Sequence, residues 1–118
     1  MIRNFILVGM GGATGAILRY IITLLFTALQ WSTTLGTFLT NIVGSFVIGW
    51  ITACCQSNTW LLFLTIGVCG GFTTYSTFSM QSLTLLQQGR YGTAICYILG
   101  TVILCIGFAA TGYLIGQK

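Results

Sequence analysis

Four long apolar segments, separated by short polar connectors, account for almost the whole chain. A helix needs about 20 mostly apolar residues to cross a bilayer, and each of these segments is long enough to do so. The segments are residues 4–29, 34–55, 59–86 and 91–116. The pattern predicts an all-α membrane protein with four transmembrane helices, folded as a single domain over residues 1–118.

The ends of the segments carry the aromatic residues that favour a membrane–water interface. These residues are Trp31, Trp60, Tyr91 and Tyr113, and Trp and Tyr are enriched at the headgroup level of bilayers. A β-barrel is not expected, because the strict two-residue alternation of its strands is absent. We therefore expect a multi-pass protein of the cell membrane, in contact with the lipid bilayer over most of its surface.

The charge content excludes several classes of function. The chain has four basic residues and no Asp, Glu or His, so only 3% of its residues are charged, against about 25% in soluble domains. Without carboxylate or imidazole side chains there is no catalytic triad and no general acid–base pair, so we expect no enzyme. The net charge of +4 is too small and too scattered for a nucleic-acid surface.

The few charges specify the orientation in the membrane only weakly. With four spans both termini lie on one side, which then carries Arg3 and Lys118, whereas the other side carries Arg90. Loops rich in Lys and Arg normally stay in the cytoplasm, but two charges against one is a faint bias. Insertion in both orientations and insertion in one fixed orientation both remain open.

Two polar residues within the apolar segments require a specific partner. Arg19 lies near the middle of the first segment, where an Arg costs about 2.5–3.5 kcal/mol on insertion scales. Since the chain has no carboxylate side chain, Arg19 needs water, backbone carbonyls or a mobile anion. We favour an aqueous vestibule that attracts anions, with a structural bond to carbonyls as the alternative. Asn41 lies on a polar stripe of the second segment with Thr37 and Ser45.

Small and polar residues recur every four positions in the first and last segments, and residues four apart share one helix face. Glycines at this spacing allow two helices to approach closely, and that packing role is the one we expect for them. Ser and Thr can instead bond to carbonyls of their own helix. The two stripes comprise Gly11, Gly15, Arg19, Thr23 and Thr27 in the first segment, and Thr93, Tyr97, Thr101 and Cys105 in the last.

The third segment contains the most informative stretch. Adjacent Gly70 and Gly71 are followed by a dense run of Thr and Ser, which is a poor sequence for a continuous helix. We predict a break at these glycines near mid-membrane, which is tolerated only inside protein or along a cavity. Such a break exposes carbonyls to a cation and N–H groups to an anion. Tyr75 and Phe78 lie on one helix face beyond the break. Their ring edges either face an anion or pack in an ordinary core.

The run from Gly70 to Ser79 resembles the signature of the Fluc/CrcB fluoride channel family. Two further stretches are similar to the same family. One is Gly-Ala-Ile-Leu-Arg-Tyr at residues 15–20, and the other is Gly-Thr-Phe-Leu-Thr-Asn at residues 36–41, followed by Gly44. The resemblance extends over the whole length of the chain.

This resemblance implies a passive channel that exports toxic fluoride, built as an antiparallel homodimer with dual topology. Two fluoride pores would follow the dimer interface, and a structural sodium ion would be held by backbone carbonyls at the breaks in the third helices. By motif position, the sodium carbonyls would belong to Gly70 and Thr73. The pore residues would be Arg19, Asn41, Tyr75, Ser76, Thr77, Phe78 and Tyr97.

Two residues depart from the family pattern. Tyr75 stands where Phe is usual, and Gln81 stands where an acidic residue is common. The hydroxyl of Tyr75 is either a donor to fluoride or an obstacle to it. One alternative is that the chain forms one half of a heterodimeric fluoride channel. A small multidrug-type transporter is a weaker alternative, because it needs a carboxylate in the membrane, and so is an assembly subunit that transports nothing.

Overall fold

A computed structural model describes residues 1–55 and 58–117 of the chain, with side chains at all of these positions except 33 and 58. The connector predicted at residues 56–58 and the charged residue Lys118 fall wholly or partly outside this description. All regular secondary structure in the described ranges is helical.

The helices follow the apolar segments closely. Four spans are long and apolar enough to cross a membrane, namely Ile2–Ala28, Thr34–Cys54, Thr59–Gln87 and Tyr91–Gly116. This result confirms the prediction of an all-α chain with four membrane-spanning helices. In chain order the elements are α1 (Ile2–Ala28), α2 (Thr33–Cys54), α3 (Asn58–Leu62), a π-helix (Phe63–Cys69), α4 (Gly70–Phe72), α5 (Tyr75–Gln87) and α6 (Tyr91–Gly116).

Short connectors join the spans at the end of the molecule opposite the termini. Gln30 and Gly89 adopt positive φ angles of 61° and 76°, which turn the chain sharply after α1 and after α5. Ser32 then begins α2, because its hydroxyl oxygen accepts a hydrogen bond from the Thr34 amide at 3.2 Å. Such a cap satisfies an N–H group that has no partner within the helix.

Glycines bring the helices together in two closely packed pairs. In the first pair α1 packs on the π-helix, and a Cβ added at Gly67 would lie 2.9 Å from the Gly11 Cα. In the second pair α2 packs on α6, and a Cβ added at Gly112 would lie 3.1 Å from the Trp50 nitrogen. The backbones therefore touch directly, as expected of small residues in membrane helices.

The helical hydrogen-bond pattern of the third span stops at Thr73 and Thr74. Both residues are extended, with φ and ψ of −83° and 157° at Thr73 and of −147° and 123° at Thr74. Gly70 is helical instead, with φ of −62° and ψ of −37°. The interruption thus lies beyond the predicted Gly70-Gly71 position. Gly71 instead allows the third span to pack closely on α1, since a Cβ at this position would lie 3.0 Å from the Gly12 Cα.

The buried core is small and lies between α5 and α6. It consists of Phe78, Leu85, Ala94 and Tyr97, with Phe38 of α2 packed against it. Many large apolar side chains elsewhere on the helices are exposed. In water such a surface would be unstable, so these side chains face lipid or another protein chain.

Candidate functional site

Asn41 holds the extended residues of the third span in place. Its Nδ2 donates to the Thr74 carbonyl oxygen at 3.2 Å, and its Oδ1 accepts from the Thr74 amide at 2.9 Å. The side chain is buried, with only 8% of its surface exposed. A buried backbone N–H or C=O without a partner is costly, so Asn41 stabilises an interruption that the backbone alone could not satisfy.

Thr74 also begins the helix that follows the interruption. Its Oγ1 accepts from the Thr77 amide at 3.3 Å and donates to the Thr77 hydroxyl at 3.3 Å. The Ser76 hydroxyl lies 3.2 Å from the same oxygen. Ser76 and Thr77, predicted as pore residues, therefore belong to the cap of α5, where the helix dipole favours an anion.

The Gly70 and Thr73 carbonyls lose their helical donors at this point. In a continuous helix the Gly70 carbonyl would accept from the Thr74 amide, which here donates to Asn41. The Thr73 carbonyl would accept from the Thr77 amide, which here donates to the Thr74 hydroxyl. These are the two carbonyls expected to hold a cation. The described residues contain no cluster of three or more His, Cys, Asp or Glu suited to a metal, so neutral oxygens are the available ligands.

Arg19 contacts the backbone just before the interruption. Its Nε donates to the Gly71 carbonyl oxygen at 3.2 Å, and the side chain is half-buried. This is the carbonyl contact that the sequence left as the alternative to an aqueous vestibule. Further along α1, the hydroxyls of Thr23 and Thr27 bond to carbonyls one turn back, at 3.1 and 2.9 Å. The hydroxyls of this stripe therefore serve their own helix.

Four aromatic rings form a row from α5 across α6 to α2. The ring centroids of Tyr75 and Phe78 are 5.7 Å apart, as their three-residue spacing predicts, and those of Phe78 and Tyr97 are 5.2 Å apart. The row ends with Phe38, whose centroid lies 6.3 Å from that of Tyr97. Phe78 is buried, whereas Tyr75 is 80% exposed. Phe78 is therefore fixed by its neighbours and Tyr75 is directed outward.

The Tyr97 hydroxyl has a partner that sequence reasoning missed. It donates to Gln81 Oε1 at 2.9 Å. Gln81 attracted notice only as a departure from the family pattern, and nothing in the spacing linked two residues on separate helices. The structure shows that this glutamine orients the hydroxyl of a predicted pore residue.

A cavity of about 460 Å³ adjoins the interruption and brings most of the predicted residues together. Asn41, Gly70, Thr73, Tyr75 and Phe78 all line it. Of the other predicted residues, Tyr97 lines a second cavity, and Arg19, Ser76 and Thr77 lie in the contacts described above.

Thr101 of α6 also lines the first cavity. Its Oγ1 is buried and has no hydrogen-bond partner among the described residues. A buried hydroxyl without a partner is costly, and this distinguishes Thr101 from Thr23 and Thr27, whose hydroxyls bond to carbonyls one turn back. The four-residue stripe on α6 was the sequence signal for this residue, although it carried no assigned role.

Comparison with known proteins identifies the family of this chain. The family model described as "CrcB-like protein, Camphor Resistance (CrcB)" matches residues 6–113. The chain belongs to the CrcB family. The resemblance inferred from the third-segment motif is thereby confirmed. The match includes the interruption and all of the aromatic row, so the candidate site lies within the region that CrcB proteins share.

Several relatives with CrcB-type sequences are similar over nearly their whole length. The "Fluoride-specific ion channel FluC" of Phocaeicola vulgatus is 42% identical over 88% of this chain and 90% of its own. The "Fluoride-specific ion channel FluC 1" of Listeria monocytogenes serotype 4b is 38% identical over 98% of this chain and 99% of its own. That of Azobacteroides pseudotrichonymphae, named "Fluoride-specific ion channel FluC", is 36% identical over 99% of this chain and 98% of its own.

These relatives are named as ion channels, which agrees with the expectation from composition that the chain is not an enzyme. Together with the four apolar spans, they identify the CrcB chain as a multi-pass membrane protein.

Proposed function

We propose that this chain forms a passive channel selective for fluoride, through which toxic fluoride leaves the cell. The names of the CrcB relatives support this proposal. The observation that carries it is the cavity at the interruption of the third span, where an amide, a free hydroxyl and aromatic rings meet without any carboxylate. The rings and the O–H and N–H donors suit an anion, and the absence of negative side chains avoids repelling one.

The chemistry of the cavity fits a small, strongly hydrated anion. A narrow passage must replace the water of such an ion with donors of its own. Asn41 has two amide N–H groups, of which one is bonded to Thr74, so the other is available to an anion. The Thr101 hydroxyl supplies an O–H donor, and Phe78 supplies the positive edge of a ring.

Ion flux from liposomes tests this proposal directly. The purified chain, with no other protein, would be reconstituted into vesicles loaded with potassium fluoride, and valinomycin would release potassium as the counter-ion. A fluoride electrode would then record efflux, and matched vesicles loaded with chloride provide the control. We expect rapid fluoride efflux and little chloride efflux. Equal rates for the two ions, or no efflux of either, would contradict the proposal.

We also propose that two copies pair in an antiparallel dimer with a pore on each side of the interface. Tyr75 is 80% exposed although it begins α5 and lines the cavity. The cavity is also open on one side of the single chain, so a second chain would complete its wall. A half-channel that needs a different partner remains the alternative, and fluoride efflux from the purified chain alone would exclude it.

Dual topology can be measured in cells. A Gln88→Cys variant, in a background without the native cysteines, places one thiol in the connector before α6. Labelling from outside with an impermeant maleimide should reach about half of the copies if insertion occurs both ways. Labelling of all or of none would contradict dual topology and favour a heterodimer with fixed orientations.

The freed carbonyls of Gly70 and Thr73 support a further proposal, that a structural sodium ion lies between the two chains. One chain offers two such oxygens and a dimer offers four. Neutral oxygens without a carboxylate suit a monovalent hard cation better than a divalent one. A bound sodium ion would supply positive charge to these carbonyls, while Asn41 and Thr74 hold the backbone that presents them.

Sodium exchange tests this proposal with two measurements. The protein would be dialysed into N-methylglucamine salts, and sodium would then be returned. We expect loss and recovery of both fluoride flux and dimer stability, the latter followed by thermal melting in detergent, with potassium as the control cation. Unchanged stability and unchanged flux without sodium would refute the site.

A further inference from the structure

A second cavity, of about 360 Å³, lies at the end of the molecule that carries the connectors after α1 and α5. Its lining includes three hydroxyl residues, Ser32, Thr34 and Thr93, and the cation Arg90, among apolar residues such as Leu35. None of these residues contributes to the cavity at the interruption. Polar residues and a cation are therefore found together at the connector end of the helices.

Arg90 is the cation available at this end. It is exposed, it precedes α6, and its side chain makes no capping hydrogen bond with that helix. Arg19 is bonded to Gly71, and Arg3 lies in the first turn of α1 at the opposite end. Since the chain has no Asp or Glu, a mobile anion is the natural counter-charge for Arg90.

The aromatic row extends from the second cavity to the first. Tyr97 and Phe38 line the second cavity, and the Tyr97 ring lies 5.2 Å from that of Phe78, which lines the first. The stripe on α6 connects them as well, with Thr93 in the second cavity and Thr101 in the first. The eight residues between these two threonines correspond to about 12 Å along the helix.

We infer that the second cavity is a mouth of the pore, in which Arg90 gathers hydrated anions before they reach the aromatic row. The inference rests on the proposed function. One water occupies about 30 Å³ in the liquid, so a cavity of about 360 Å³ accommodates an anion with its first shell of water. The mouth therefore raises the local anion concentration by charge, and dehydration and selection take place deeper, beyond Tyr97.

The dependence of flux on ionic strength tests this inference. Fluoride efflux would be measured for the parent, Arg90→Gln and Arg90→Lys at about 10 mM ionic strength, and again with about 0.3 M potassium isethionate. A unit charge in water acts over about 30 Å at 10 mM ionic strength but over less than 10 Å above 0.1 M. We expect a two- to fivefold slower efflux for Arg90→Gln at low ionic strength, near-parental efflux in high salt, and near-parental efflux for Arg90→Lys in both.

Arg3→Gln is the matched control, because it removes the same charge at the opposite end of the same chain. Arg3 lines a separate cavity with Asn4 and Thr59. The Arg3→Gln variant should therefore show efflux close to the parental rate. The inference is overturned if Arg90→Gln conducts like the parent at low ionic strength, if its defect persists in high salt, or if Arg3→Gln is equally impaired. A parent without fluoride flux would instead refute the proposed function and this inference with it.

Discussion

The two halves of the third span pack by opposite means. Before the interruption, the π-helix and α4 meet α1 backbone to backbone, through glycines that leave no room for a Cβ. After it, α5 meets α6 through side chains, with Phe78 and Leu85 packed against Ala94 and Tyr97. The first half of the span is positioned by backbone contacts with α1. The second half contributes side chains to the core and to the aromatic row.

Each half is tied at its end nearest the interruption by a polar side chain from another helix. Arg19 of α1 donates to the Gly71 carbonyl in the first half. Asn41 of α2 bonds to both backbone groups of Thr74, which begins the second half. The comparison therefore predicts that substitutions in the first half impair folding, whereas substitutions in the second half impair conduction.

The largest effect is expected for Gly15→Ala, in the contact between α1 and the first half. A Cβ there would collide with the Val68 carbonyl oxygen and lie 2.7 Å from the Phe72 nitrogen. Both are backbone atoms that cannot move aside cheaply, so we expect a loss of about 3 kcal/mol of stability. Thermal melting in detergent and the yield of folded protein measure it.

Gly107→Ala on α6 is the matched control for this prediction. A Cβ at Gly107 meets nothing within 4 Å in the described residues. Alanine favours the helix over glycine by about 1 kcal/mol, so the melting temperature should stay the same or rise. Equal destabilisation by the two substitutions would show that the first half is not distinguished by its backbone contacts.

In the second half, Phe78→Ile should reduce fluoride flux at least tenfold while the protein still folds. Isoleucine keeps an apolar side chain of moderate size but removes the ring edge, and Phe78 is central in the aromatic row. Vesicle efflux measures flux, and melting temperature measures folding. Leu85→Ile, in the same core cluster, is the control and should conduct nearly as the parent does. A fully active Phe78→Ile variant would show that this ring contributes only to core packing.

Asn41→Asp should reduce fluoride flux severalfold, whereas the yield of folded protein should fall by a smaller factor. An ionised Asp has no N–H donor, so both the bond to the Thr74 carbonyl and the N–H offered to the anion are lost, while the acceptor for the Thr74 amide remains. Asn4→Asp makes the same chemical change in the first turn of α1 and should leave flux close to the parental rate. Unaltered flux in a well-folded Asn41→Asp variant would assign Asn41 to packing.

The smallest effect is expected for Tyr75→Phe. Tyr75 is 80% exposed, and among the described residues its hydroxyl has no hydrogen bond that Phe would remove. The ring pair with Phe78 is retained, so efflux should equal or exceed that of the parent. If efflux is abolished, the Tyr75 hydroxyl is itself a ligand for the ion.

Hydropathy was sufficient to predict the four spans, because in a bilayer the length of an apolar segment is the dominant constraint. The position of the interruption was not predictable in the same way. Gly70 and Gly71 indicated flexibility, but glycine also permits close packing, and that is how Gly71 is used against Gly12. The extended residues are instead Thr73 and Thr74, where Asn41 of another helix supplies partners for both backbone groups of Thr74.

Residue types and motif spacing predicted candidate pore residues but not their contacts. Tyr75, Phe78 and Asn41 line one cavity. The bonds from Tyr97 to Gln81 and from Arg19 to Gly71 each join residues of different helices. No local pattern encodes such pairs, since they depend on how the helices are rotated against each other.

The π-helix at Phe63–Cys69 sets that rotation. A π-helix bonds residue i to i+5 rather than i+4, so it accommodates additional residues in the same helical span. Winding the same residues as a regular α-helix would instead turn everything beyond them by about one residue, or about 100°. Phe78 would then point away from α6, and Thr74 away from Asn41. A relative with a regular α-helix in this stretch would therefore present the same pore residues only if it were one residue shorter here.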